Sequence, residues 1–470
     1  MEAHQFEKLH HQQYHSFSIP VDSNGKATQF KPFSASSPHM LAFHLAWFSL
    51  FSCFFSTFSI PPLLPVIRAD LHLSASDVGI AGIASFTGAI LSRLAMGPAC
   101  DLFGPRVASA ALSLLTAPAI LAALLVSSAR GFVVVRFLVG FSLANFVSNQ
   151  FWMSSMFSGQ VVGLATAVSA GWANAGSGLA QLIMPLIYSS LGTALHSSSS
   201  TAWRLSFVFP ALFQALTAIL VLAFGQDRPY SGSNANPIKL NSSFSSKDTK
   251  FLSVLLHGLK NYRGWILGLT YGYCFGVELT TNNILAQYFY DRFGLSLRTA
   301  GLIAACFGAG NIISRPAGGA VSDELGRRFG MRGRLWGLWA VQTAAGLLCL
   351  LLGRVSSLWG SIVVMCCFSF FVQAASGLTF GVVPFVSKRS LGVISGMTGS
   401  GGTIGAVVTQ LLLFSGSSGL SKQTSISLMG LVMIVCTLPI TLIYFPESGG
   451  MFCRPSEHLD SGLEEYYLLS

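Results

Sequence analysis

The chain alternates between long apolar segments and short polar ones over most of its length. An apolar segment of about 20 residues has the length that an α-helix needs to cross the hydrocarbon core of a bilayer, which is about 30 Å thick. Six such segments precede residue 226 and six follow residue 263. The pattern therefore predicts twelve membrane-spanning helices, near residues 40–67, 78–98, 107–128, 132–155, 162–190, 205–225, 264–289, 299–321, 335–353, 358–383, 391–414 and 425–445.

Three polar segments flank and separate the two groups of helices. Residues 1–38 have histidines scattered among Gln and Ser, which predicts a disordered cytosolic tail; a metal-binding tail is the alternative. Residues 226–263 are rich in Ser, Asn and Lys, which predicts a flexible cytosolic connector. The predicted domains are therefore the tail, a six-helix half over 39–225, the connector, a second six-helix half over 264–446 and a cytosolic tail over 447–470.

Composition narrows the class of protein. Hydrophobic residues make up 52% of the chain and charged residues 9%, and the mean hydropathy is +0.61, so a lipid bilayer is the expected surrounding and a water-soluble enzyme is not. The net charge of +10 is dispersed over short inter-helix segments, mostly on the predicted cytosolic side, which excludes a nucleic-acid-binding face and follows the positive-inside rule. The cysteines lack metal-ligand spacing, and no cofactor or metal is predicted.

One charged element occurs twice, once in each half. The second span contains Arg93-x-x-x-Gly97-x-x-x-Asp101, and the eighth contains Arg315-x-x-x-Gly319-x-x-x-Asp323. At helical spacing the three residues of each element lie on one face. Eight residues correspond to about 12 Å, which puts each arginine near the middle of the bilayer, above its aspartate. A repeat of this kind in two six-helix halves predicts the major facilitator fold, with a site between the halves.

The two arginines indicate an anion site. A charge at the centre of a spanning helix costs about 2.5 to 3.5 kcal/mol, so it normally has a partner or faces water. No acid lies within a turn of either arginine, and Glu278 is the other acid found deep in a span. One carboxylate cannot neutralise two guanidinium groups, which favours a bound anion over pairing with an acid elsewhere.

The lower parts of both elements resemble the cytosolic hinge motif of major facilitator transporters. We expect Asp101 and Asp323 to pair there with a helix end or a basic residue, and Gly97 and Gly319 to belong to the same hinge.

A second repeated element consists of small residues. The fifth span reads GLATAVSAGWANAGSG from Gly163, and the eleventh reads GVISGMTGSGGTIGA from Gly392. Such stripes predict close helix packing, and their exposed backbone also allows helices to slide, which makes Gly171 and Gly399 hinge candidates. Asn174 lies beside the first stripe, where it either serves packing or offers an amide to a ligand.

These elements resemble the nitrate/nitrite porter family. The likeness extends to ANFVSNQFWMSSMF, YGYCFGVELTTNNILAQYFYDRFG and QAASGLTFGVVPFVSKRSLG, and it covers roughly residues 27–447. The chain is most similar to plant high-affinity nitrate transporters, and its short connector and tail resemble the vacuolar-type branch. The resemblance implies a vacuolar or plasma membrane location, and it leaves the need for a small accessory membrane protein open.

The resemblance also implies which residues bind the substrate. Two arginines would clamp nitrate, three aromatic side chains would cover it, and an amide would contact it. In the eleventh span a threonine replaces the second asparagine that the family pattern contains, which puts that amide contact in doubt. The implied positions are Arg93, Arg315, Phe146, Tyr271, Phe275, Asn174 and Thr403.

Nitrate suits such a site because it is flat, singly charged and weakly hydrated, so guanidinium forks can bond its edge while a ring covers its face. The resemblance implies symport with protons by alternating access. Glu278 lies about 20 Å along the seventh helix and is either the proton-coupling group or a partner near the outer mouth.

Three other functions compete with nitrate transport. One is a nitrate sensor with a transporter fold, and another is a carrier of a different small anion such as nitrite. A sugar or organic-cation carrier is disfavoured by two central arginines and few acids.

Overall fold

The computed structural model describes residues 18–194, 198–228, 253–295, 297–387, 390–414 and 420–454. It is almost entirely helical, with one short hairpin of two strands, β1 (Tyr444–Phe445) and β2 (Gly449–Gly450). The α-helices are α1 (His39–Thr57), α2 (Leu64–Asp70), α3 (Ala75–Phe103), α4 (Pro105–Leu121), α5 (Ala129–Gly140), α6 (Asn145–Met156), α7 (Val162–Ala194), α8 (Ser199–Ser206), α9 (Val208–Phe224), α10 (Tyr262–Gly272), α11 (Phe275–Phe293), α12 (Leu297–Ala309), α13 (Asn311–Arg354), α14 (Leu358–Val382), α15 (Leu391–Leu413) and α16 (Lys422–Thr437).

Local sequence signals account for where these helices begin and end. The Ser74 hydroxyl accepts a hydrogen bond from the Asp77 amide at 3.1 Å, and the Asp77 carboxylate accepts one from the Ser74 amide at 2.9 Å. This capping box starts α3. The helix stops at Gly104, whose φ of +81° suits glycine, and Pro105 then begins α4 without needing an amide hydrogen bond.

The predicted spans correspond to helices, with three informative interruptions. Within the described residues nine helical runs are long and apolar enough to cross a bilayer, and one of them, 302–354, contains both the eighth and ninth predicted spans. Gly330 breaks that run with φ 62°. The fourth span is interrupted by a 3₁₀ turn at Phe141–Ala144, the seventh after Gly272 and the eighth at Gly310.

The prediction of a disordered segment over residues 1–38 is wrong for residues 18–38. The Ala27 amide donates to the Met156 carbonyl at 2.9 Å, and the Ser158 amide donates to the Ala27 carbonyl at 3.0 Å. The side chain of His39 contacts the Gly25 carbonyl at 2.8 Å. This segment is therefore attached to the connector end of the first half, where α6 ends and α7 begins; residues 1–17 lie outside the described part.

The prediction of a flexible connector is also wrong in part. Residues 253–260 are helical, and Asn261 caps the helix that follows them by accepting a hydrogen bond from the Arg263 amide at 3.1 Å. The Ser-rich portion, 229–252, lies outside the described residues, as do residues 455–470 of the predicted C-terminal tail.

The two halves meet along two seams, α3 against α15 and α7 against α13. The seams are close because glycines face backbone: a Cβ atom at Gly97 would overlap Gly392, and one at Gly319 would overlap Gly163. The prediction of close packing at the small-residue stripes is thus confirmed. Large apolar side chains cover the outside of the bundle, as expected for contact with lipid; among the most exposed are Leu115, Leu125, Ile313 and Trp359.

Candidate functional site

Arg93 lies in the seam between α3 and α15 and is fully buried. Its Nη1 donates to the Gly399 carbonyl at 2.5 Å and to the Thr403 hydroxyl at 2.8 Å, and its Nε donates to the Leu143 carbonyl at 3.2 Å. The Leu143 carbonyl is available because it belongs to the 3₁₀ turn in the fourth span. Every acceptor is neutral, so within the described residues no carboxylate offsets the charge of Arg93.

Arg315 has a different environment. Its Nη2 forms a salt bridge with Glu278 Oε2 at 3.0 Å, and both side chains are only 2% exposed. Asn311, one turn before Arg315 on α13, donates its amide to Glu278 Oε1 at 2.6 Å. Glu278 lies in the first turn of α11, where the helix dipole favours a negative charge. Glu278 is therefore a buried partner of Arg315, so the interpretation of it as a partner holds and its placement near the outer mouth is wrong.

The three predicted aromatic residues form one stack beside the two arginines. The ring of Phe275 lies 5.1 Å from that of Tyr271 and 5.9 Å from that of Phe146, each at an interplanar angle of 14°. The Cζ atoms of Arg93 and Arg315 lie 5.5 and 5.3 Å from the Phe275 centroid. The two guanidinium carbons are thus no more than about 11 Å apart, the sum of those two distances.

Phe380 is a site residue that the sequence reasoning missed. Its ring contacts Phe146 and Tyr271 edge-on, at 5.1 Å from each. The signal was available, because Phe380 lies in the tenth span, the counterpart of the fourth span that carries Phe146. Asn311 was missed as well, and its only signal was a polar residue four positions before Arg315 on the same helix face.

Several buried donors around this stack have no hydrogen-bond partner within the described residues. They are Arg93 Nη2, Arg315 Nε, the Tyr271 hydroxyl and Asn174 Nδ2. An unpartnered buried donor costs about 1 to 3 kcal/mol, so a native site rarely collects several of them without a ligand. Unpartnered N–H and O–H groups beside two guanidinium groups are the chemistry of an anion site.

Asn174 lies on α7, beside the small-residue stripe that packs against α13. Gly171, one turn earlier, faces the Asn311 carbonyl so closely that a Cβ atom at Gly171 would overlap it, and the Cβ of Arg315 lies at contact distance. The glycine therefore lets α7 approach α13, and Asn174 lies one turn further along the same helix.

Thr403, the residue at the position of the second amide in the family pattern, contacts Arg93, and its contact with substrate stays a prediction. Its hydroxyl accepts from Arg93 and donates to the Gly399 carbonyl at 3.2 Å, so it holds the arginine in place.

At the connector end each repeated aspartate contacts the other half. Asp323 accepts from the amides of Gly163 at 3.1 Å and Leu164 at 2.6 Å, in the first turn of α7, and forms a salt bridge with Arg334 at 2.9 Å. Asp101 accepts from the Gly392 amide at 3.3 Å, in the first turn of α15. The predicted pairing with helix ends is thus confirmed for both aspartates, and their hinge role stays a prediction.

Comparisons with known proteins agree with this architecture. Residues 46–410 match the Major Facilitator Superfamily. The chain is 66% identical over 448 residues to High affinity nitrate transporter 2.7 of Arabidopsis thaliana, a match that covers 93% of this chain and 90% of the relative. It is 58% identical over 452 residues to High affinity nitrate transporter 2.5 of the same plant, covering 96% and 89%.

Among solved structures, the transporter FucP in the outward conformation matches with a TM-score of 0.62 at 17% identity, over 86% of this chain and 99% of that one. At this identity the match shows a shared fold.

Proposed function

This chain belongs to the major facilitator superfamily and, within it, to the family of plant high-affinity nitrate transporters, and on that premise we propose that it carries nitrate across a membrane by alternating access, driven by protons. The observation that carries the proposal is the group of unpartnered buried donors between the halves, on Arg93, Arg315, Tyr271 and Asn174. Nitrate has three equivalent oxygens, so it can accept from several such donors at once.

The aromatic stack supports a flat substrate. Each guanidinium group lies within 5.5 Å of the Phe275 centroid, so an anion between the arginines has a ring beside it. A planar ion can present its edge to the N–H groups and its face to the ring, whereas a tetrahedral anion such as sulfate would need more room and would bring a second charge. The site therefore favours nitrate and the similarly flat nitrite over phosphate or sulfate.

The burial of the site supports alternating access. Arg93, Arg315, Phe146, Tyr271 and Phe275 are 0–1% exposed, so nitrate reaches them only when the halves part. A bound anion attracts arginines from both halves, since Arg93 comes from the first half and Arg315 from the second. Binding therefore favours the closed arrangement, which is the differential affinity that a ligand needs in order to bias a conformational change.

The charge of nitrate and the charges of the site favour transport that is coupled to a second ion. Moving nitrate into a negative compartment costs about 2.3 kcal/mol per 100 mV, so accumulation needs coupled cations. Glu278 holds Arg315 while it is charged, and a proton on Glu278 would free that guanidinium for nitrate. We therefore assign proton coupling to Glu278, with nitrate binding promoted by its protonation.

The experiment that tests the proposal is uptake of labelled nitrate into proteoliposomes with and without an inward proton gradient. We expect uptake that the gradient accelerates and that excess unlabelled nitrate or nitrite inhibits, while sulfate does not. A nitrate sensor would bind labelled nitrate without accumulating it, and a carrier for another anion would show no saturable nitrate uptake. Either result would overturn the proposal.

A further inference from the structure

The eighth span breaks where Asn311 stands. Within the break, the Phe307 carbonyl accepts hydrogen bonds from Ser369 at 2.9 Å and from Gln373 at 2.6 Å, both on α14. These bonds satisfy a carbonyl that the interrupted helix leaves free. Helix α13 then begins at Asn311, which is 2% exposed. The break is thus a fixed feature, anchored by a neighbouring helix.

The Glu278 carboxylate is held from two positions on α13. Arg315 contacts Oε2 at 3.0 Å, and Asn311 contacts Oε1 at 2.6 Å. The two side chains are four residues apart and therefore lie one turn from each other on one face. Arg315 has already been assigned to nitrate, whereas the proposed function gives no role to Asn311.

The oxygen of the Asn311 side-chain amide, Oδ1, provides a further observation. Oδ1 is buried and has no hydrogen-bond partner within the described residues. An amide offers donors on one side and an acceptor on the other, and rotation about χ2 exchanges them. A carboxylate accepts hydrogen bonds only, but a protonated carboxyl group also donates one. Asn311 can therefore satisfy Glu278 in both protonation states, using Nδ2 for one and Oδ1 for the other.

We propose that Asn311 is the positioning residue for proton coupling, and this inference rests on the proposed function. In the charged state its Nδ2–H donates to Glu278 Oε1. When the site opens, a proton from water adds to the carboxylate, the hydrogen bond from Nδ2 breaks, and the new O–H donates to Oδ1 of the rotated amide. The salt bridge to Arg315 Nη2 is lost in the same step, and that donor becomes free for nitrate.

The groups around Glu278 are consistent with this role. Arg315 and Asn311 face it from α13, and the Tyr271 hydroxyl and the Cys274 thiol lie close to the break that precedes α11. Arg93 lies against the same Phe275 ring from the first half. Helices α12, α14 and α15 also pack on α11; α14 and α15 contain no Asp, Glu, Lys, Arg or His, and α12 contains Arg298 in its first turn and Cys306. Among the described side chains Asn311 is the neutral group that is hydrogen-bonded to Glu278.

The test is the pH profile of nitrate uptake by Asn311→Leu in proteoliposomes, normalised to reconstituted protein. Leucine keeps the approximate volume and removes both the donor and the acceptor. The lost hydrogen bond to the charged carboxylate is worth more than the lost neutral bond from the protonated carboxyl group to Oδ1, so the net change favours the protonated form and the midpoint of the profile moves to higher pH, by about one unit. Asn311→Ser retains a hydroxyl that donates and accepts, and its midpoint should lie closer to that of the wild type.

The matched control is Asn24→Leu, the same change at an exposed position of the 18–38 segment at the connector end. We expect its midpoint to equal that of the wild type. A midpoint for Asn311→Leu that also equals the wild-type value would overturn the role of Asn311. If Asn311→Leu does not fold, a wild-type midpoint for Asn311→Ala has the same meaning. Wild-type uptake without any pH dependence would instead overturn the proposed proton coupling itself.

Discussion

The two halves carry the same Arg-x-x-x-Gly-x-x-x-Asp element, yet their arginines have different partners. Arg93 is held by the carbonyls of Leu143 and Gly399 and by the hydroxyl of Thr403, all neutral. Arg315 is held by the carboxylate of Glu278. The repeat therefore determines where the arginines lie, and residues outside the repeat determine their charge balance. Two guanidinium groups and one carboxylate leave one net positive charge, and binding of one proton by Glu278 together with one nitrate leaves that net charge unchanged.

The two halves also differ in the partners of their repeated aspartates at the connector end. Asp323 contacts two backbone amides and Arg334, whereas Asp101 contacts the Gly392 amide and has one oxygen, Oδ2, without a partner within the described residues. The seam between α7 and α13 is thus held by hydrogen bonds to two charged side chains of α13, from the α7 amides to Asp323 and from Arg334 to the Gly159 carbonyl at 3.0 Å, while the seam between α3 and α15 is held mainly by packing. The halves are related in architecture and unequal in charge.

The largest effect should come from replacing either arginine. Arg93→Lys and Arg315→Lys keep the charge but lose the planar fork, so each should reduce nitrate uptake about 10- to 100-fold, as expected when hydrogen bonds to charged groups are lost. Uptake per surface-expressed protein measures the effect. Arg204→Lys, at an ion pair with Asp70 outside the site, is the control and should transport normally. Wild-type uptake by either site variant would contradict the clamp.

Neutralising Glu278 should remove the charge difference between the two arginines. Glu278→Gln keeps the shape of the side chain and cannot exchange a proton, so uptake should fall about tenfold and lose its pH dependence, while equilibrium nitrate binding should be as tight as in the wild type or tighter, because no negative charge holds Arg315. Uptake per surface-expressed protein across pH, together with a binding assay, checks both statements. An unshifted pH profile at normal turnover would remove Glu278 from the coupling mechanism.

The two connector-end aspartates should respond unequally to the same substitution. Asp323→Asn breaks a buried ion pair with Arg334, whereas Asp101→Asn leaves a hydrogen bond to one amide that an asparagine oxygen can still accept. We expect Asp323→Asn to lower the free energy of unfolding by about 1 kcal/mol more than Asp101→Asn. Thermal unfolding of the purified variants measures the difference, and equal losses would mean that the ion pair adds no stability.

The smallest effect should come from Asn174. Asn174→Ala removes an unpartnered amide and leaves the small-residue stripe intact, so the apparent KM for nitrate should rise about threefold to tenfold, equivalent to one hydrogen bond. Ser177→Ala is the control, because this hydroxyl donates only to the Asn174 backbone carbonyl. An unchanged KM would assign Asn174 to packing.

The sequence predicted the architecture well because the bilayer imposes a simple rule. Each span must be apolar and about 20 residues long, and that rule places twelve helices without knowledge of their contacts. The repeated motif then identified Arg93, Arg315, Asp101 and Asp323 by spacing alone.

The interruptions within the spans could not be predicted in the same way. The turn at Phe141–Ala144 and the breaks after Gly272 and at Gly310 depend on side chains from other helices, such as Ser369 and Gln373, which satisfy the freed backbone. The pairing of Glu278 with Arg315 follows from two of these breaks. Helical spacing assumed over an unbroken seventh span placed Glu278 too far from the arginines.

Residues 18–38 illustrate another limit. Their polar composition is typical of a disordered tail, and the segment packs because its backbone hydrogen-bonds to Met156 and Ser158 and because Phe30 contacts Phe43 and Phe157 at 5.0 and 5.5 Å. A segment with few apolar residues can therefore pack in an ordered way when the helices that it contacts are already folded.

The glycine contacts at the connector end have an electrical consequence. Gly97 meets Gly392, and Gly163 meets Gly319, with backbone directly against backbone. A barrier of this kind has no flexible side chain that can swing aside to admit a stray ion. Each uncoupled monovalent ion that crosses a membrane dissipates about 2.3 kcal/mol for every 100 mV of voltage. We therefore expect the glycine seams to limit uncoupled ion flow through the connector end.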